Sequence, residues 1–206
     1  MADIVINGAT YKDVPSIQVP DENGEMVEFE ETSEIDKILN RTITSYSNDR
    51  ITALGNYTFC QCKQLKAIDL YNVQSIGKYS LCNCYALKTI DLHNVQSIDE
   101  YSLCNCYALE TIDLHNVQSI ERYGIYGCSV LIALIMRSTN LCTLTSDTGM
   151  SATGISSKKG YIYVPKALVD SYKTATNWSV YANQIRALED YTVDGTITGE
   201  LDESKI

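Results

Sequence analysis

Basic charge is in short supply in this chain. Sixteen Lys and Arg stand against 26 Asp and Glu in 206 residues, a formal charge of −10 with a pI near 4.6. Phosphate backbones are held by Lys and Arg, so the charge argues against nucleic acid as a partner and no nucleic acid is expected; an anionic membrane surface is disfavoured on the same ground. No stretch approaches the roughly 18 apolar residues that a spanning helix needs, so membrane insertion is excluded too. Met1-Ala2-Asp3-Ile4-Val5 is not a basic segment followed by a long apolar run; as given it is no secretory signal, and the expectation is a protein that is cytoplasmic when synthesised. Its eight cysteines would then be reduced thiols. A nucleophile elbow, a phosphate loop and an HExxH helix are all missing. The two histidines occupy duplicated positions, so a catalytic Cys/His pair would have to arise twice by repetition. The chain reads as non-enzymatic, with no cofactor.

What is present is repetition. Tyr79–Ile98 and Tyr101–Ile120 differ only at Lys88 against Glu110. Leu65, Leu87, Leu109 and Leu131 are in phase; so are Ile68, Ile90, Ile112 and Leu134, then Leu70, Leu92, Leu114 and Met136, then Val73, Val95 and Val117, then Leu54, Ile76, Ile98 and Ile120. Within one unit the order Leu87-x-x-Ile90-x-Leu92-x-x-Val95-x-x-Ile98 is the spacing of a leucine-rich repeat. The two-residue step from Ile90 to Leu92 places both side chains on the inner face of a short strand, and Leu103 and Cys106 should point inward from the opposite wall. A single unit buries too little to fold alone, so units must stack and their ends must be capped. The fold class that follows is α/β: a leucine-rich-repeat solenoid of 22-residue units with a parallel β-sheet on one face, an N-terminal β/helix cap and a C-terminal strand-helix cap.

In chain order, residues 1–31 read as an N-terminal β-hairpin unit, with strands at Asp3–Asn7, Ser16–Val19 and Met26–Glu30 and turns at Asn7-Gly8 and Asp21-Glu22-Asn23-Gly24. Residues 32–64 should hold a cap helix, starting at Thr32 or Ser33 and running through Leu39, and an incomplete first rung that begins near residue 43. Residues 65–144 are the repeats, the last one degenerate. Thr145–Lys159 reads as a Gly/Ser/Thr-rich loop within a C-terminal cap of residues 145–191. That cap has a strand Tyr161–Val164, a helix opened by Pro165 with Ala167, Leu168 and Tyr172 on one face, and a second helix from about Ser179 to Leu188. Trp178 is expected beneath the helix pair. Residues 192–206 form an acidic tail or a strand that pairs with a partner.

The unit Ile76-Gly77-Lys78-Tyr79-Ser80-Leu81-Cys82-Asn83-Cys84-Tyr85-Ala86-Leu87-Lys88-Thr89-Ile90-Asp91-Leu92-His93-Asn94-Val95 resembles the repeat of the BspA-like leucine-rich repeat proteins of bacteria and their phages. Ser80 and Leu81 stand where that family carries Ala-Phe, and His93 stands where it carries proline. Tyr161–Tyr172 with Asn177-Trp178-Ser179 is similar to the family's C-terminal cap. The short segment Ile6-Asn7-Gly8-Ala9-Thr10-Tyr11-Lys12-Asp13-Val14-Pro15 resembles the start of phage or prophage virion proteins. The resemblance implies protein binding or surface attachment and no catalysis.

Two side-chain constellations invite a metal. Cys60-x-Cys62, Cys82-x-Cys84 and Cys104-x-Cys106 put six thiols in register, but Tyr126 replaces the first thiol beside Cys128, and structural zinc uses Cys-x-x-Cys pairs. Positions 62, 84, 106 and 128 therefore read as a small core site. Disulfides along the stack are disfavoured, because rungs repeat at about 4.8 Å and a disulfide holds its Cβ atoms near roughly 3.8 Å. On the outer sheet face, ladders of Asp69, Asp91 and Asp113, of Tyr71, His93, His115 and Arg137, and of Ala67, Thr89, Thr111 and Ala133 should lie side by side. Two Asp-x-His pairs there would be within reach of one divalent cation; the plainer alternative is a solvated ladder facing a protein or glycan. Asn72, Asn94 and Asn116 should bond backbone where each strand ends, and Tyr57, Tyr79, Tyr101 and Tyr123 should pack along the convex side.

The first reading is a non-enzymatic protein- or glycan-binding module, part of a phage or prophage tail or fibre. It would meet a cell or virion surface through Asp69, Tyr71, Thr89, Asp91, His93, Thr111, Asp113, His115 and Arg137, and would be found on the virion or outside the cell. The alternative is a BspA-like cell-surface adhesin. A metal-dependent hydrolase using the Asp/His ladder is a distant third.

Overall fold

The rungs are built from two short strands and a tight turn, and paired strands of neighbouring rungs run parallel in register. A computed structural model describes Ile38, residues 41–193 and the strands β1 (Ile4–Ile6), β2 (Ala9–Tyr11), β3 (Gln18–Pro20), β4 (Met26–Glu28) and β18 (Thr196–Ile197). β1 pairs antiparallel with β2 and β3 with β4; the strand at Ala9–Tyr11 is one that the sequence reading missed. The expected cap helix through Leu39 lies outside the described residues, apart from the buried helical Ile38.

The first wall of the solenoid is a parallel sheet in two pieces. β5 (Ser45–Ser47), β7 (Ala67–Asp69) and β9 (Thr89–Asp91) form one. β11 (Thr111–Leu114), β13 (Ala133–Met136), β15 (Tyr161–Val164) and β16 (Ile185–Ala187) form the other. No strand pairing joins β9 to β11, and Ile90 is half-buried where Ile68 and Ile112 are buried. The second wall is a five-stranded parallel ladder of two-residue strands: β6 (Ala53–Leu54), β8 (Ser75–Ile76), β10 (Ser97–Ile98), β12 (Ser119–Ile120) and β14 (Thr143–Leu144).

Turns make the third wall. Phe59 donates its N–H to Ser80 at 2.7 Å, Leu81 to Ser102 at 2.8 Å, Leu103 to Gly124 at 2.9 Å and Ile125 to Gly149 at 2.9 Å. Left-handed backbone recurs in step, at Tyr57, Gln61, Tyr79, Asn83, Tyr101, Asn105 and Tyr123, and at Gly127 with φ of 76°. Backbone groups that would otherwise be orphaned inside a turn are thereby satisfied by the neighbouring rung. Between the walls lies one apolar column. Leu65, Leu87, Leu109 and Leu131 are fully buried within it, as are Leu103 and Cys106 from the turn side.

Three expectations need correction. Residues 145–159 are not a mere loop: a 3-10 turn at Asp147–Met150 continues the turn wall, Gly127 donates to Ser151 at 3.0 Å, and Met150 and Ile155 are buried. The second cap helix is a 3-10 helix, Ser179–Gln184, followed by β16. Ile185 and Ala187 alternate inward with Arg186 between them, a strand's period, and β16 pairs the otherwise open edge of β15. Ala167 is exposed and does not join Tyr172 on a buried face; the helix here is α1 (Val169–Thr174), after a 3-10 turn at Lys166–Leu168. Trp178 is buried, but against the last rung as well as α1. Its Nε1–H donates to the Cys142 carbonyl at 2.7 Å, and its ring meets Tyr172 edge-on at 5.1 Å. The tail begins with β17 (Thr192–Val193), antiparallel to β18.

Candidate functional site

The outward side chains of the first wall and of the corner that follows it carry a carboxylate row and a ring row side by side. Since each rung presents the same position, one residue type becomes a row. Tyr71 stacks on His93, with ring centroids 5.1 Å apart and planes at 19°. His93 lies against His115 at 4.2 Å, tilted by 39°. Arg137, the next residue in phase, turns onto the carboxylate row: Nε donates to both oxygens of Asp113 at 2.8 and 3.0 Å, and Nη2 to Oδ2 at 2.8 Å. This bidentate geometry fixes both side chains more firmly than a single surface contact would.

The carboxylates are not equivalent. Asp69 accepts the Tyr71 N–H at 3.0 Å and Asp91 the His93 N–H at 2.9 Å, each closing its own strand-to-corner turn. Asp69 also accepts the Ser47 hydroxyl at 3.2 Å. Asp113 is instead engaged by Arg137. For the lesser option, one cation shared by two Asp-x-His pairs, the geometry is unfavourable: Asp91 Oδ1 accepts a backbone N–H and both oxygens of Asp113 accept from a guanidinium. No group of three or more His, Cys, Asp or Glu among the described residues is placed to hold a metal. Thr89 and Thr111 are exposed on the same face.

His115 is the unusual member. Its Nδ1 is buried without a hydrogen-bond partner, 3.7 Å from Asp113 Oδ1 and so beyond hydrogen-bond reach. Desolvation pushes its pKa down, helped by the charges of His93 and Arg137 and opposed by Asp113 and Asp91. Next to this row, the asparagine ladder does what its position implied. Asn72 donates Nδ2–H to the Asp49 carbonyl at 2.8 Å, Asn94 to Tyr71 at 2.6 Å and Asn116 to His93 at 2.8 Å, tying each corner to the rung before it.

Thiols and phenols are arranged as structure. All eight cysteines are free, and Cys60 alone is half-exposed. Cys84, Cys106 and Cys128 donate S–H to the carbonyls of Phe59, Leu81 and Leu103 at 3.2, 3.4 and 3.2 Å. Burial raises the Cys84 pKa above the ordinary thiol value, the opposite of what a reactive thiolate needs. Tyr57, Tyr79, Tyr101 and Tyr123 stack along the turn wall with centroids 4.9, 4.7 and 4.7 Å apart. Sequence reading missed a second feature of the corner. Gln74, Asn94, Gln96, Asn116, Gln118, Ser138 and Asn140 line a groove of about 330 Å³. Its signal is in the repeats, since Gln follows each inward Val at 73, 95 and 117.

Compared with known proteins, residues 31–146 match six copies of the BspA type leucine rich repeat region. No curated protein matches. Among solved structures, a leucine rich cell surface protein from Faecalibacterium prausnitzii is similar at 17% identity and a TM-score of 0.43, over 53% of this chain and 35% of that one. A leucine rich repeat protein of T. pallidum is similar at 16% identity and a TM-score of 0.46, over 59% of each chain. The pneumococcal vaccine antigen PcpA is similar at 12% identity and a TM-score of 0.44, over 71% of this chain and 40% of that one. The match thus spans about a third and three-fifths of the length of the first two.

Proposed function

Because this chain belongs to the BspA-type leucine-rich repeat family, we propose that it is a non-enzymatic binding module whose ligand surface is the row Tyr71–His93–His115 with Asp69, Asp91, Asp113, Arg137, Thr89 and Thr111 around it. The observation that carries this is pre-organisation. Ring stacking, two Asp-to-backbone bonds and the Asp113–Arg137 pair hold these side chains before any partner arrives, so docking loses less rotamer entropy there than on an ordinary polar surface. Rings and a guanidinium beside one another are also the residue types that concentrate binding energy. The partner is a protein or glycan of a cell surface.

The test is decoration of bacterial cells by fluorescently labelled protein. His93→Ala with His115→Ala should lose at least tenfold in cell binding, with the melting temperature held within a few degrees. Unchanged binding would contradict the assignment.

The location proposed is a phage or prophage virion, on the strength of the segment Ile6–Pro15. Mass spectrometry of gradient-purified particles and of the washed cell-surface fraction decides it. Peptides in particles support a virion part; peptides confined to the cell surface overturn that and leave an adhesin.

A further inference from the structure

The amide groove beside the histidine row has a chemistry of its own. Gln74, Gln96 and Gln118 are exposed, and their side-chain amides form no hydrogen bond within the described residues. Their backbones are locked in register: Gln96 N–H donates to the Gln74 carbonyl at 3.0 Å, and Gln118 to Gln96 at 2.8 Å. Asn94 and Asn116 each use one Nδ2–H on backbone, which leaves a second N–H and the carbonyl oxygen for a ligand. Ser138 Oγ accepts the Asn140 N–H at 3.1 Å, which leaves its O–H as a donor. The lining therefore offers both donors and acceptors and no formal charge.

We propose that this groove binds a linear neutral glycan lying along the solenoid axis. A ligand that matches it must itself give and accept hydrogen bonds at short intervals without charge, as sugar hydroxyls do. The rungs repeat at about 4.8 Å, close to the length of one pyranose ring in an extended chain, so successive sugars meet Gln74, Gln96 and Gln118 in turn. An extended peptide fits less well. The backbone groups of these rungs are already paired, which removes strand addition, and the lining contains no apolar side chain to anchor a peptide residue. An anionic glycan is opposed by the charge of −10.

The proposal rests on reading the repeats as a binding module but places this ligand outside the histidine row, so the two can fail separately. Calorimetric titration with cellohexaose, laminarihexaose, maltohexaose, chitohexaose and mannohexaose, and with hexagalacturonate as the anionic comparator, tests it. At least one neutral hexasaccharide should bind. Gln96→Ala with Gln118→Ala should weaken it by about fivefold per amide removed, with unchanged thermal unfolding, while His93→Ala with His115→Ala should change it less than twofold. The proposal is overturned if no neutral hexasaccharide binds at millimolar concentration, if the glutamine variant binds as well as the parent, or if hexagalacturonate binds most tightly. Each of those outcomes leaves the cell-decoration result standing on its own.

Discussion

At the scale of the residue, repetition makes each side chain's cost visible, because its counterparts one rung away serve as controls. Thr58 at its position donates to the Gly55 carbonyl at 2.8 Å, whereas the hydroxyls of Ser80 and Ser102, in phase with it, are buried and unpaired. A buried hydroxyl without a partner costs about 1–3 kcal/mol. Ser80→Ala and Ser102→Ala should accordingly raise stability by about 1 kcal/mol each in denaturant unfolding; a loss would mean that those hydroxyls do find a partner. The same residues are where the sequence already departs from the Ala of the family repeat, so the site was legible before its cause was. His115 gives a pH dependence. Its pKa is depressed in the folded chain, so its neutral form contributes stability that is complete above the free imidazole value of 6.5 and declines as pH falls from there towards the folded pKa. Groups facing it are Asp113, His93, Arg137 and Asp91. His115→Gln should flatten the fall in unfolding midpoint between pH 7.5 and 5.5, and an unaltered slope would show that the ring titrates as it does in the unfolded chain. At the alkaline end, burial pushes Tyr172 and Cys142 up to about 12. Stability from Tyr172 is complete below its free value of 10.0 and from Cys142 below 9.0, and both are lost as pH rises from there towards 12.

At the scale of the element, the rungs were legible and the closing cap was legible only in part, and the difference is physical. Inside the repeats, Leu87, Ile90, Leu92, Val95 and Ile98 recur with their neighbours, so each strand position is checked by the next unit. In the cap nothing repeats. Tyr181, Ala182, Ile185 and Leu188 satisfy a helical spacing on paper, but the open edge of β15 offers a row of backbone groups, and pairing Ile185–Ala187 to it outweighs local propensity. Asp147–Met150 escaped for a related reason: its Gly/Ser/Thr composition speaks of a loop, while its backbone supplies the carbonyl that Ile125 requires. The amide groove escaped because single glutamines on a corner carry no signal until the register stacks them. Close approach also decides Gly160. A Cβ there would stand 2.3–2.6 Å from the backbone of Ile132, where the next residue, Tyr161, donates its N–H to the Ile132 carbonyl at 2.8 Å. Gly160→Ala should therefore cost about 1–3 kcal/mol and raise hydrogen exchange first along Tyr161–Val164. Exchange that stays uniform would mean that β15 gives way without separating from β13.

At the scale of the whole molecule, stability is a sum over rungs and the interfaces between them. Each rung buries its leucines only against the next, so phase matters more than length. Insertion of one further copy of residues 79–100 after residue 100 should give a folded chain that melts no lower than the parent. Insertion of half a unit should not fold, because it places polar corner residues in the apolar column. Tolerance of both would show that the rungs are independent of register. The same additivity explains how function is built: a residue that is unremarkable once becomes a surface when it recurs, as Tyr71, His93 and His115 do on one corner and Gln74, Gln96 and Gln118 beside it. That surface is the central claim, and the chain carries a built-in reporter of it, since His93 and His115 are its two histidines. The most direct measurement is diethyl pyrocarbonate labelling read by mass spectrometry, on the free chain and on chain bound to the bacterial cells it decorates. The account predicts that His93 is modified in the free chain and that both rings are protected in the bound one; equal modification of His93 in the two states would place the partner on another face and contradict it.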